Sequence, residues 1–264
     1  MIHTTINLPA PLTVWIPDNS PEMNNDRTRP TVIICPGGGY EFTSDREAEP
    51  IALNLVAAGC NAAVLRYSCK PAVFPQALNE LAESVSYIRS RADWHVCSNL
   101  IFVMGFSAGA HLAASLGSFW NKPIINTPGP EVRPDGMILC YPVISSGPFA
   151  HQGSFTALLG EQVLNQNLRD TVSLENQVSK DTPPAFIWHT FEDELVPVEN
   201  SLDYARELRR HDVPVELHVY RRGKHGLSSA TANTVNTKGW GIETTCQNWL
   251  DMAITWINDF NRDS

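Results

Sequence analysis

The chain has 264 residues, 43% of them hydrophobic and 18% charged, which suits one large folded domain and excludes a disordered polymer. Its 19 basic and 28 acidic residues leave a net charge of -9, so no nucleic acid partner is expected, because binding a polyanion needs clustered Lys and Arg. No apolar run approaches the roughly 20 residues that cross a bilayer, and Met1 to Leu8 has neither the basic start nor the apolar block of a secretory leader. The expectation is a cytoplasmic protein with no membrane partner. The six cysteines include no C-x-x-C pair, and Cys35 and Cys140 end apolar runs. They are read as small buried hydrophobes in a reducing compartment.

Residues 3 to 16 alternate well enough for one or two opening strands, and a polar loop rich in Asn, Asp and Pro follows. Thr31 to Cys35 is a near-continuous apolar strand of the kind found in a sheet covered on both faces. It opens into Pro36-Gly37-Gly38-Gly39-Tyr40, where three glycines leave backbone N–H groups unshielded, as an oxyanion cradle requires. Taken alone, that run reads as a flexible turn. Arg46 to Ala58 has helical spacing, with Ala48, Ile51, Ala52, Leu55 and Val56 on one side and Gly59 as the stop. Ala62 to Tyr67 is a strand, and a helix from Pro75 lines up Ala77, Leu81, Val85 and Ile88. Leu100 to Met104 and Gly136 to Tyr141 are further strands.

Residues 142–182 break this rhythm with Pro142, Ser145-Ser146-Gly147-Pro148 and short amphipathic pieces. They are expected to form a lid over the carboxyl edge of the sheet, where ligand-contacting segments belong. The rhythm returns with a strand at Pro184 to Thr190, a helix at Val198 to Arg210, a strand at Val215 to Tyr220 and a closing helix at Thr244 to Phe260. Strands alternating with helices give an α/β fold, a mostly parallel sheet with helices on both faces. The expected organisation is a single domain over 1–264 carrying the lid as an excursion.

The most informative stretch is Ile101 to Ser115. An apolar strand runs into Gly105-Phe106-Ser107-Ala108-Gly109 and an alanine-rich helix follows at once. That context makes Ser107 a nucleophile on a strained strand-to-helix turn, with the helix start aimed at developing negative charge. A serine hydroxyl needs a base, and the base needs a carboxylate to fix its tautomer. Phe191 to Pro197 follows one strand and contains Asp193; Arg221 to Gly226 follows the next and contains His225. All three lie just past strand ends, so they converge on one sheet edge. Glu192 and Glu194 compete with Asp193, which is favoured because it stands three residues before the Val196-Pro197 that begins the helix. His111 sits on the helix below Ser107 and is read as a buried hydrogen-bonding residue, His189 and His218 as core or sheet residues, while His95, His151 and His211 carry no signal. No histidine pair has zinc-ligand spacing, so no metal and no cofactor is expected.

The motifs Pro36-Gly37-Gly38-Gly39-Tyr40, Gly105-Phe106-Ser107-Ala108-Gly109-Ala110-His111-Leu112-Ala113, Asp193-Glu194-Leu195-Val196-Pro197 and Gly223-Lys224-His225-Gly226 resemble those of the α/β-hydrolase superfamily. The likeness is to the compact esterase branch related to hormone-sensitive lipase and acetyl-xylan esterases, and it runs through nearly the whole chain. It implies a catalytic triad of Ser107, Asp193 and His225, an oxyanion hole built from the amides of Ala108 and of Gly38 or Gly39, and hydrolysis of short, acetyl-type esters, including those of sugars. Tyr40 and Tyr67 are added as candidate substrate contacts because they are aromatics near the expected site loops. The chain departs from the pattern at Pro36, which stands where the branch usually has the histidine that braces the oxyanion loop; the stiffness of proline is the expected substitute. An amidase or formamidase, a serine peptidase with the same triad, and a non-catalytic binding module remain as alternatives. The natural ester and the oligomeric state, monomer or homo-oligomer, are left open.

Overall fold

A computed structural model of the protein describes residues 1–260. Eight strands form one sheet: β1 (Ile2–Asn7), β2 (Pro11–Ile16), β3 (Arg29–Cys35), β4 (Asn61–Leu65), β5 (Val96–Phe106), β6 (Gly136–Cys140), β7 (Ala185–Thr190) and β8 (Val215–Tyr220). Their spatial order is β1-β2-β4-β3-β5-β6-β7-β8. β1 pairs antiparallel with β2 and β2 antiparallel with β4, and every later pairing is parallel. The chain moves outward from β3 to β4 and then returns past β3 to β5. This reversal opens a crevice at the carboxyl ends of β3 and β5, the place where open α/β sheets bind ligands.

The helices are α1 (Glu49–Ala57), α2 (Gln76–Arg89), α3 (Ala108–Phe119), α4 (Gln152–Leu159), α5 (Gln166–Thr171), α6 (Glu199–Arg210) and α7 (Trp249–Asp259). The twofold alternation of a strand sends successive side chains to opposite faces, and β5 shows it plainly. Ile101 and Val103 enter the core beneath α2, α3 and α6, whereas Phe102, Met104 and Phe106 enter the one beneath α1 and α7. Both faces are therefore dry, which is why the central strands read as apolar runs.

Three expectations shift. The helix expected over 46–58 is a 3-10 turn at Asp45–Glu47 followed by α1, with Ala48 at φ -116, ψ -108 between them. Pro50 lies in the first turn of α1, where a ring without N–H is tolerated, and the break points Glu47 inward, 4% exposed. The closing helix begins at Trp249, after a separate 3-10 turn at Thr244–Cys246.

The third shift concerns 142–182. This excursion holds α4 and α5, and Phe155, Leu158, Leu159, Val172 and Leu174 are buried in the same core as α3. Ser146 N–H donates to Ser173 Oγ at 2.9 Å and Leu174 N–H to the Ile144 carbonyl at 3.1 Å. The segment is a packed cap, anchored at both ends.

Candidate active site

Ser107 joins β5 to α3 with φ 54 and ψ -118, a backbone region that costs a non-glycine residue about 1–3 kcal/mol. The end of β6 and the segment that follows it hold it there. Ser107 N–H donates to the Cys140 carbonyl at 3.0 Å, and Val143 N–H donates to the Ser107 carbonyl at 3.1 Å. The flanking glycines answer to close approach: a Cβ on Gly105 would sit 2.2 Å from the Gly109 carbonyl oxygen, and one on Gly109 would sit 2.0 Å from that of Cys35. Strand, turn and helix can cross at this distance only without side chains.

The three residues singled out in sequence meet here. Ser107 Oγ lies 2.7 Å from His225 Nε2, and His225 Nδ1 lies 2.7 Å from Asp193 Oδ2. Asp193 is buried, whereas Glu192 and Glu194 are exposed. The turn after β7 thus aims one carboxylate of three at the histidine. Asp193 Oδ1 accepts from Leu195 N–H at 3.1 Å and Val196 N–H at 2.9 Å. Burial works against its charge, yet the hydrogen bonds from His189 and His225 and the backbone donors hold this carboxyl well below the usual carboxylate range. It is an anion whenever the protein is folded at neutral pH. A neutral His225 then donates from Nδ1–H to Asp193, leaving Nε2 to accept the proton of Ser107.

His189 carries a role its strand position concealed. Its Nε2–H donates to the Val196 carbonyl at 2.9 Å and, at 3.3 Å, toward Asp193 Oδ2, while Nδ1 accepts from Ser201 Oγ at 2.7 Å. It orders the turn that presents Asp193.

Across the crevice lies the glycine loop. Gly38 and Gly39 line the cleft beside Ser107, and the N–H groups of Gly38, Gly39 and Ala108 have no acceptor among the described residues. Hydrogen bonds brace the loop on either side of the Pro36–Gly37 peptide. The Pro36 carbonyl accepts from the Tyr67 hydroxyl at 2.6 Å, and Gly37 N–H donates to Glu47 Oε2 at 2.8 Å. Tyr40 and Tyr67, expected as substrate contacts, are each only 3% exposed and stand behind the loop. The Tyr40 hydroxyl donates to His111 Nδ1 at 2.8 Å, and His111 Nε2–H donates to the Val172 carbonyl at 2.8 Å. Those tyrosines point inward because their hydroxyls find partners there. Burial pushes the His111 imidazole down to about 4, so it is neutral.

The cleft has a volume of about 300 Å³. Glu41, Phe42 and Leu195 line it, as does His151 from the start of the cap, beside Ser107 and His225. Phe42 and Leu195 are exposed apolar side chains. Sequence reading missed His151 and Glu47, since neither belongs to a motif. Among the described residues, no three His, Cys, Asp or Glu side chains come together as a metal site.

Residues 19–208 match the BD-FAE family. The chain belongs to that family. BD-FAE proteins are α/β-hydrolase esterases, related to acetylxylan esterases and to carboxylesterases of the Lip group. The chain is 38% identical over 225 residues to the endo-1,4-beta-xylanase B of Butyrivibrio fibrisolvens, a match covering 82% of this chain and 35% of that protein. It is 31% identical over 207 residues to the acetylxylan esterase of Xylanibacter ruminicola, covering 76% of this chain and 41% of that one. The chain therefore spans well under half the length of these two relatives. Among solved structures, the acetyl ester-xyloside bifunctional hydrolase of Caldicellulosiruptor lactoaceticus superposes with a TM-score of 0.81 at 37% identity, covering 96% of this chain and 88% of that one.

Proposed function

We propose that this BD-FAE protein is a serine carboxylic-ester hydrolase that removes short acyl groups, acetyl above all, from acetylated xylo-oligosaccharides or related sugars. One observation carries the chemistry: the continuous relay from Ser107 Oγ through His225 to Asp193, with both links at 2.7 Å, beside unshielded amides. His225 takes the hydroxyl proton as Ser107 Oγ attacks the ester carbonyl. The amides of Ala108 and of Gly38 or Gly39 stabilise the oxyanion, each worth about 3 kcal/mol of barrier. Collapse breaks the bond to the leaving alcohol, which takes the proton back from His225 and leaves Ser107 acylated. Water, deprotonated by His225, then attacks the acyl-enzyme and frees the acid.

The substrate class draws on two further supports. A cleft of about 300 Å³ suits a small acyl group. The similar proteins named above include an acetylxylan esterase and an acetyl ester-xyloside hydrolase.

The test is a panel of p-nitrophenyl esters from two to twelve carbons run beside acetylated xylo-oligosaccharides and formyl amides. The expected outcome is preference for acetate and release of acetate from the sugar, with Ser107→Ala losing at least about a thousandfold in kcat while keeping its fold. Rates that peak on long chains would overturn the sugar reading. Native turnover by Ser107→Ala would overturn the nucleophile, and faster cleavage of formyl amides would assign the triad to amide chemistry.

A further inference from the structure

Glu47 is a buried carboxylate to which the steps above assign no part. A carboxylate at 4% exposure is costly unless donors meet its oxygens, and here each oxygen meets one. Oε2 accepts from Gly37 N–H at 2.8 Å, and Oε1 accepts from the Tyr141 hydroxyl at 2.6 Å. Those donors belong to opposite halves of the site. Gly37 opens the oxyanion loop, and a Cβ placed on it would lie 3.1 Å from Ser107 Cβ. Tyr141 follows β6, where its φ of 37 is a strained conformation for a tyrosine. Its hydroxyl accepts from Ser228 N–H at 2.9 Å, on the loop that carries His225, and its ring stands edge-on to the His225 imidazole at 5.2 Å between centroids.

We propose that Glu47 is a positioning residue of the esterase site, a single buried carboxylate that sets the oxyanion loop and the His225 loop relative to each other through Gly37 and Tyr141. The hole must lie within a fraction of an ångström of the oxygen that the base-activated serine creates, and a misplacement of about 1 Å is enough to lose about a hundredfold in rate. The two loops come from different crossovers of the sheet, and Glu47 together with Tyr141 links them. This also answers the departure at Pro36, since the brace on the loop arrives from the broken start of α1. Ser228 Oγ closes the circuit by donating to the Arg46 carbonyl at 2.6 Å, next to Glu47 in the chain.

The proposal rests on the esterase reading, and the experiment separates the two. Glu47→Gln keeps the shape but turns one acceptor oxygen into an N–H donor, so if Gly37 keeps its acceptor the short bond donated by the Tyr141 hydroxyl is lost and can only be replaced by a weaker one of reversed direction. Tyr141→Phe keeps the ring against His225 and removes the hydroxyl. Both variants and their combination are assayed for kcat and KM on p-nitrophenyl acetate, for thermal midpoint, and for the rate at which a fluorophosphonate phosphonylates Ser107. Each single variant is expected to lose about 10- to 100-fold in kcat with KM within about threefold, and the double variant should be no slower than the slower single one, because both break the same link. Phosphonylation should slow by a similar factor.

Wild-type kcat in a folded Glu47→Gln protein would overturn the proposal, as would losses that multiply in the double variant or that fall on KM alone. Should Glu47→Gln fail to fold, Tyr141→Phe and its phosphonylation rate decide alone. If the wild type is phosphonylated but cleaves no ester, the esterase reading fails, and the phosphonylation rates still judge Glu47.

Discussion

Asp193 makes the residue scale concrete. It touches His225, two backbone N–H groups and the edge of His189, and those donors are what keep it ionised in a buried place. Asp193→Asn would retain the size but present an amide, which favours the wrong tautomer of His225. The expected loss is on the order of ten-thousandfold in kcat, read by p-nitrophenyl acetate hydrolysis under saturating substrate, together with a lowered thermal midpoint, because the ionised carboxylate also contributes folding stability at neutral pH. The choice of Asp193 over Glu192 and Glu194 could be argued in sequence from the distance to the helix start. Glu47 and His151 could not. Each depends on a direction taken by an irregular turn, and that direction is set by partners far along the chain.

At the scale of elements, the elbow and the cap invite different experiments. Gly109 packs its backbone against Cys35 and Pro36, so the methyl of Gly109→Ala would have to displace the main chain of those two residues. A loss of about 3 kcal/mol or more is expected, measured by urea denaturation. The cap behaves as core. Phe155 is 1% exposed and stands edge-on to His111 at 5.4 Å. Truncating it in Phe155→Ala should cost about 3–5 kcal/mol, visible as a lowered denaturation midpoint. A freely moving lid would show almost no change. The sequence of this segment reads as an excursion because it breaks the strand-helix alternation; that it packs down is a matter of which side its few apolar residues share once α4 and α5 form.

For the molecule as a whole, acid should be destabilising in two stages. His111 titrates near 6.5 when unfolded and at about 4 when folded. Between those values the unfolded chain binds a proton that the folded protein refuses, so stability falls as pH drops from 6.5 to 4, by on the order of 3 kcal/mol. Below that window Asp193 takes over, because its depressed folded value means the unfolded carboxyl is protonated first. Urea unfolding at pH 6.5 and 4.5 measures the first stage. His111→Gln, which retains a donor and an acceptor, should flatten it, and an unchanged slope would assign the loss to other groups.

The sequence by itself determined the fold class, the run of buried parallel strands and the order Ser107, Asp193, His225 at successive strand ends. These are legible because apolar periodicity and turn residues act within a few positions of one another, and the sheet's topology then carries strand ends to a common edge. Only the tertiary structure decided what surrounds the relay. Tyr40 and Tyr67 were close to the site in sequence terms yet face away from it, drawn by the Pro36 carbonyl and by His111. Glu47 met Tyr141 across 94 positions of chain, and His151 reached the cleft from a segment whose course depends on α3 beneath it. A side chain in a loop points where a buried polar partner can satisfy it, and that partner is chosen by the packed fold, at a distance no local pattern records.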